Sequence, residues 1–412
     1  MPPFSFQSDI ELCLVMRHVW PVLAGAAERF RRYAPGLLER GVHMTAFARQ
    51  AENGQALDEV VPGDMRVLRV AASADAHVWD RALFERLQSH SAAHAGRQMV
   101  LQTNVVHTQT RSIIKKVCAG GVPAVWTGSM MEENTEVLPW WRHFRERVRR
   151  RWLHHSFDAF TVGSSLMRDW LRNEWVPPER IHVIGHGVDH ARFRPVSSAT
   201  EKDALRQIWH LPVDAVVILM VGTITARKGV HLLLDSWEKR LVAEPSAHLV
   251  LAGAFDRPTV VHEAHQRELG VYQQGVHAQL QRLTATGRVH HLGEVADIHL
   301  LMRACDILVL PSDREGVPNV VLEAMSCGLP CVLTPFVGLP REELGPEGKN
   351  WVLTERTSFA LAEVLGALIH DEIRRKSIGA AAYQQALDHF GLDKTLDAYE
   401  ALYRNLLRKV HG

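Results

Sequence analysis

Residues 306–332 read DILVLPSDREGVPNVVLEAMSCGLPCV. An apolar strand runs into Pro311, a polar loop follows, and an apolar helix starts near Pro318. Proline suits a first helical position, because its missing N–H has no intrahelical partner there anyway. Gly328 suits the left-handed stop after Cys327. In an open α/β sheet, ligands sit beyond the carboxyl ends of the strands, and a helix N-terminus there presents free N–H groups to an anion. Glu315 falls in the loop and Glu323 lies eight residues on, along the helix. Two carboxylates so placed can accept from the vicinal hydroxyls of a sugar or ribose. Taken alone, the same residues also fit a capping acid and a solvated glutamate.

A second stretch, residues 217–235 (VILMVGTITARKGVHLLLD), repeats the arrangement. A strand ends at Val221-Gly222, and Arg227 and Lys228 stand just before the next apolar helix. A guanidinium fork beside an ammonium is a clamp for a diphosphate. The Walker spacing G-x4-G-K-[ST] does not occur.

Working outward, short apolar runs alternate with amphipathic stretches. Residues 12–16, 42–47, 67–70, 105–107, 124–127, 159–163 and 181–184 read as strands of a first half. Residues 215–222, 248–253, 289–292, 307–311 and 331–334 read as strands of a second. Apolar runs without polar alternation suit parallel strands covered on both faces, and the intervening helices imply βαβ crossovers. The expected fold class is α/β, with two doubly wound, Rossmann-like parallel sheets. The polar stretch 189–200 (DHARFRPVSSAT) marks the seam. The expected domains are 1–195 and 196–391, and 392–412 forms a helix with an apolar stripe.

Composition narrows the class. Of 412 residues, 46% are apolar and 23% charged, which excludes a mainly disordered chain. Lys+Arg is 47 against 46 Asp+Glu, so no basic field calls for nucleic acid. The five cysteines (13, 118, 305, 327, 331) are odd in number and irregular in spacing, as expected for reduced thiols in a cytoplasmic protein. The first residues have neither a basic nor an apolar region of a secretory signal, and no apolar run approaches spanning length.

With these motifs in place, the chain resembles retaining glycosyltransferases of the GT-B fold, family 4 (glycosyl transferases group 1). Glu315 and Glu323 match the family's E-x7-E signature, and VGTITARKG matches its phosphate clamp. Gly25-Ala26-Ala27-Glu28-Arg29 looks like its G-G-x-E-R loop, and Val106-His107-Thr108 like its strand-end histidine. Residues 162–165 (VGSS) and 184–189 (IGHGVD) match its last landmarks before the linker. The chain departs from the pattern at Ala26, Gln109, His186 and Thr223.

The resemblance implies two domains facing across a cleft, with the last helix crossing back onto the first. It implies that Arg227 and Lys228 hold the donor diphosphate beside Gly222, and that Glu323 holds the ribose. Glu315 and the backbone of Gly316, Val317, Pro318 and Asn319 would hold the transferred sugar. Gly25 would let a loop approach phosphate or acceptor, and His107 would sit beside the reacting centre. The expected activity is transfer of a sugar from a nucleoside-diphosphate sugar to a hydroxyl acceptor, with retention, in surface polysaccharide or glycolipid synthesis. No Asp-x-Asp occurs, so neither metal nor other cofactor is expected. The alternatives are a nucleotide-sugar epimerase of the same fold and a non-catalytic nucleotide-sugar binder.

Residues 140–155 (WWRHFRERVRRRWLHH) carry six Arg against one Glu. Arginine and tryptophan together suit an anionic membrane surface and a lipid-linked acceptor, so the protein is expected on the inner face of the cytoplasmic membrane or free in the cytoplasm. His90 with His94, and His262 with His265, have helical ligand spacing but no third partner, and read as packing or surface residues.

Overall fold

The computed structural model describes residues 9–16, 25–50, 56–71, 76–104, 108–128, 140–255 and 263–411. The chain forms two compact units, 1–185 with 393–412, and 186–392. The division falls at Gly185, ahead of the polar stretch expected to mark it. Val188 already belongs to the second unit, pairing with Gly391 and packing into that unit's core.

Among the described residues the first unit holds eight strands: β1 (Ile10–Met16), β2 (Val42–Arg49), β3 (Asp58–Val61), β4 (Met65–Val70), β5 (Gln98–Thr103), β6 (Ala124–Thr127), β7 (Ala159–Val162) and β8 (Ile181–Val183). Their order is β3-β4-β2-β1-β5-β6-β7-β8. All pairings are parallel except β3 with β4, at the sheet edge. Strand β3 (DEVV) carries two acids and escapes a reading based on apolar runs. Strand β5 precedes the expected 105–107, which lie outside the described residues. Its sequence, QMVLQT, hides a strand because a polar side chain is buried within it. Gln102 is fully buried and lies within hydrogen-bond distance of Thr127 on β6, whose hydroxyl meets that of Thr161 on β7 at 2.8 Å.

The last helix, Leu392–His411, packs on this unit through Leu396, Tyr399, Leu402, Tyr403, Leu406 and Leu407, all buried. Tyr399 lies edge-on to Phe30 at 5.5 Å between ring centroids. The Tyr403 hydroxyl donates to Gln102 Oε1 at 2.5 Å. A polar chain therefore runs from the helix through β5 and β6 to β7.

The second unit holds β9 (Val216–Val221), β10 (Ala247–Ala252), β11 (Val289–Gly293), β12 (Ile307–Leu310), β13 (Cys331–Leu333) and β14 (Val352–Leu353). All are parallel, in the order β11-β10-β9-β12-β13-β14. Strand β9 alternates between two cores. Val217 and Leu219 pack on one face of the sheet, while Val216, Ile218 and Met220 pack on the other. Both faces are thus covered, which explains the unbroken apolar runs. From β9 the chain winds outward one way through β10 and β11, then returns to β12 on the other side. The crevice beyond the carboxyl ends of β9 and β12 is this sheet's topological switch point.

Candidate functional site

The two motifs meet at that switch point. Strand β9 ends at Val221 and leads into the loop carrying Arg227 and Lys228, which closes at Gly229, the N-cap of helix Val230–Lys239. Gly229 has φ of 71°, and a Cβ there would lie 2.1 Å from the Pro311 carbonyl oxygen. Only glycine allows the loop to pass so close to the chain leaving β12. The backbone N–H of Asp313 donates to the Arg227 carbonyl at 3.0 Å, stitching the loops together.

The second loop is fixed from beneath. The buried Thr334 hydroxyl donates to the Ser312 carbonyl at 2.7 Å, and the Glu315 N–H donates to the Val337 carbonyl at 3.2 Å. Gly338, with φ of 96°, lets the Glu315 carbonyl approach to 2.1 Å of where a Cβ would stand. Pro318 caps helix Asn319–Ser326 rather than forming its first residue, and Gly328 takes the left-handed conformation after it (φ 75°).

Glu315 is 8% exposed, and three donors converge on its Oε1. Lys228 Nζ stands at 2.6 Å, the Ser312 hydroxyl at 2.8 Å and Arg227 at 3.3 Å. Arg227 also donates to the Arg314 carbonyl at 2.5 Å. Burial pulls the Lys228 ammonium below its ordinary pKa, and the Glu315 carboxylate offsets this only in part. Lys228, Arg227 and Glu315 therefore form one cluster of charge at the mouth of helix Asn319–Ser326. Glu323 lies further along that helix and is buried at 6% exposure, with Gly316, Val317 and Pro318 at the helix entrance.

Three further residues shape the cluster; Ser312 and Arg356 do not stand out in the sequence, and His186 does so only as a departure from the family pattern. Ser312 supplies the neutral donor to Glu315. His186 donates from Nδ1 to Asn319 Oδ1 at 2.6 Å, orienting the first residue of the helix. Arg356, just past β14, donates from Nε to the Pro311 carbonyl and from its terminal nitrogen to the Ala226 carbonyl, each at 3.1 Å. It staples the loop carrying Lys228 to the loop carrying Glu315. No motif marks Arg356, since its partners are main-chain oxygens far away in sequence.

In the first unit the expected Gly25 loop needs correction. Gly25 is the first residue of helix Gly25–Glu39, so Glu28 and Arg29 are helical rather than in a loop. Alanines at 26 and 27 favour helix where a second glycine would loosen the chain. Glu28 is held by Arg31 at 2.6 Å. His107 and residues 17–24 lie outside the described residues, as does His262.

Among the described residues, Glu11, Cys13 and His90 offer ligand atoms within 4.8 Å of one another. The carboxylate is already engaged by His90, Arg97 and Thr45, each at 2.8 Å. Burial raises its pKa, but these hydrogen bonds outweigh burial and hold it at about 2. An arginine on the same carboxylate opposes a cation, so the cluster fits a buried ion-pair network better than a metal centre. The His94 ring lies against that of His90, tilted by 32°, at 4.1 Å between ring centroids.

Two sequence profiles match the chain. The one described as Glycosyltransferase Family 4 covers residues 23–192, and the one described as Glycosyl transferases group 1 covers residues 201–385. The chain belongs to the group 1, family 4 glycosyl transferases. The two parallel-sheet units are the GT-B architecture of that family. Among curated relatives, the chain is 34% identical over 234 residues to a D-inositol 3-phosphate glycosyltransferase of Xylanimonas cellulosilytica, covering 56% of this chain and 52% of that one. It is 29% identical over 247 residues to the N,N'-diacetylbacillosaminyl-diphospho-undecaprenol alpha-1,3-N-acetylgalactosaminyltransferase of Campylobacter jejuni, covering 59% of each. The match thus spans little more than half the length of these relatives.

The fold also matches solved structures. Sucrose-phosphate synthase from Thermosynechococcus elongatus superposes with a TM-score of 0.76 at 19% identity, over 97% of this chain and 99% of that one. HepE of Anabaena, solved with UDP, superposes with a TM-score of 0.72 at 19% identity, over 96% and 100%.

Proposed function

We propose that the chain transfers a sugar from a nucleoside-diphosphate sugar to a hydroxyl acceptor, with retained anomeric configuration and without a metal ion. The observation that carries this reading is the convergence of Lys228 and Arg227 on buried Glu315 at a helix mouth, beyond the carboxyl ends of β9 and β12. The match to HepE, a protein solved with UDP, supports a nucleotide donor.

The chemistry follows from the charges. Glu315 holds both cations. An arriving diphosphate brings more negative charge than one carboxylate, so Lys228 and Arg227 turn to it. Glu315 then accepts from a hydroxyl of the donor sugar, while Glu323 takes the ribose hydroxyls. When the bond from the anomeric carbon to the diphosphate oxygen breaks, its electron pair stays on phosphate. The two cations, drawn to the diphosphate on binding, and the N–H groups at the helix entrance then stabilise the leaving group. The acceptor oxygen bonds the same face of the anomeric carbon, and its proton passes to the departing phosphate oxygen. By resemblance, His107 is assigned beside this centre.

The acceptor is inferred to be a surface polysaccharide or glycolipid, and the enzyme to work in the cytoplasm. Unpaired cysteines suit that compartment. Among the described residues, no helix is long and apolar enough to cross a membrane.

Thermal unfolding with UDP, GDP, ADP and dTDP tests the donor class, because a ligand that binds only the folded state raises its stability. One nucleotide should raise the melting temperature, and Lys228→Ala should abolish the rise and lower turnover by about a hundred- to a thousand-fold. Near-normal turnover in that variant would sink the clamp. Isomerisation of the donor without any acceptor would instead indicate an epimerase.

A further inference from the structure

The helix Trp140–His154 turns its apolar side the wrong way for a globular protein. Leu153 and His154 face inward and are buried. Trp141, Phe144, Val148 and Trp152 are 42%, 57%, 46% and 47% exposed. Spacings of three, four and four residues set these four side chains in one stripe along the helix. Arg145, Arg149 and Arg151, all exposed, border that stripe.

A neighbouring turn adds to the same surface. Arg150 pairs with Glu174 at 2.7 Å, and Arg147 donates to the Asn173 carbonyl at 2.5 Å, so the turn is anchored to the helix. The next residue, Trp175, adopts φ of 61° and is 43% exposed. A bulky residue pays strain to hold that conformation. Its indole lies under the guanidinium groups of Arg147 and Arg151, at 4.3 and 5.3 Å. From the neighbouring helix Thr108–Cys118, Arg111 stacks 3.3 Å over the ring of Trp152. The surface is thus a band of outward indoles and apolar side chains bordered and stacked by arginines.

We propose that this band docks the protein on an anionic phospholipid bilayer. Indoles settle at the boundary between headgroups and acyl chains, and arginine stems lie along apolar surface while their heads reach phosphate. The charge is complementary, since residues 140–155 carry six Arg against one Glu. A soluble polyanion would engage the arginines but leave the apolar stripe in water. An apolar protein partner would leave the arginines without counter-charge. A bilayer with acidic lipid satisfies both. The inference does not depend on sugar transfer, because the band can be tested without any donor.

The experiment is co-sedimentation of the full chain with two sets of vesicles, one of phosphatidylcholine alone and one with about a third phosphatidylglycerol, at physiological salt. The wild type should sediment with the acidic vesicles and not with the neutral ones. Phe144→Glu with Val148→Glu should lower the bound fraction at least about tenfold while leaving the melting temperature unchanged, since both side chains are exposed. Arg145→Glu with Arg149→Glu should do the same. Absence of sedimentation, equal sedimentation with neutral vesicles, or unimpaired binding by the Phe144/Val148 variant overturns the proposal. So does a wild type that leaves the vesicles unbound and dimerises through this face, shown by loss of the dimer in the same variant.

Discussion

Replacing Glu315 by Gln probes the cluster most directly. Lys228 and Glu315 have side chains only 13% and 10% exposed, and they meet at 2.6 Å. Solvent screens such a pair weakly, and removing one partner strands a buried charge at a cost of about 3–5 kcal/mol. Glutamine keeps an oxygen for Ser312 and Lys228, so the lower figure applies. In a unit of this size, each kcal/mol moves the melting temperature by roughly 2–4 °C, so a fall of about 6–12 °C is expected. The same change should strengthen binding of the free nucleoside diphosphate. In the wild type, phosphate must draw Lys228 from Glu315 and sit beside a like charge. Relief of about 1 kcal/mol corresponds to about fivefold in affinity. Sugar transfer should fall, because the carboxylate acceptor for the sugar hydroxyl is gone. Differential scanning fluorimetry and titration calorimetry with the nucleotide chosen by the thermal panel read both effects. A melting temperature within about a degree of wild type, together with unchanged diphosphate affinity, would refute the coupling of Glu315 to the clamp.

Arg356→Ala should raise KM for the donor about tenfold with a smaller change in kcat, because the loops carrying Lys228 and Glu315 lose their staple. Lysine at 356 should behave like alanine, since an ammonium lacks the fork that reaches two carbonyls, and an unchanged KM in both variants would dismiss the staple. His154 is buried beside Trp126 and Phe160, and burial pushes its pKa down to about 4. As pH falls below about 6.5, the unfolded chain takes up that proton while the folded chain does not, so stability declines toward pH 4, by up to about 3 kcal/mol. Denaturant unfolding at several pH values should show that slope, and His154→Leu should flatten it. Tyr403→Phe should cost about 1–3 kcal/mol by leaving the buried Gln102 oxygen without its donor, measurable as a lower urea midpoint.

Much of the site was legible because its chemistry is local in sequence. The clamp and the acidic pair each lie within one strand–loop–helix unit, so residue type and spacing mark them directly. The stapling residues were not legible. Arg356 and His186 act through main-chain oxygens or a single side-chain contact far away in sequence, and Ser312 through one short-range hydroxyl contact that no motif marks. Strand β5 was misplaced because Gln102 looks like a loop residue until Thr127 and Tyr403 surround it. The first loop was misread because Gly25 was weighed by resemblance, while the alanines beside it favour helix.

Two parallel α/β sheets, the residues proposed as the anion clamp and the Arg–Trp composition of 140–155 follow from the sequence alone, because apolar periodicity and charge are written residue by residue. That Lys228 and Arg227 share one oxygen of Glu315 was decided only by tertiary structure. So was the outward turn of Trp141, Phe144, Val148 and Trp152. A helix of this composition could bury either face, and the packing of Leu153 and His154 selects which one meets water. Likewise, the two loops meet only because β9 and β12, far apart in the chain, are neighbours in the sheet.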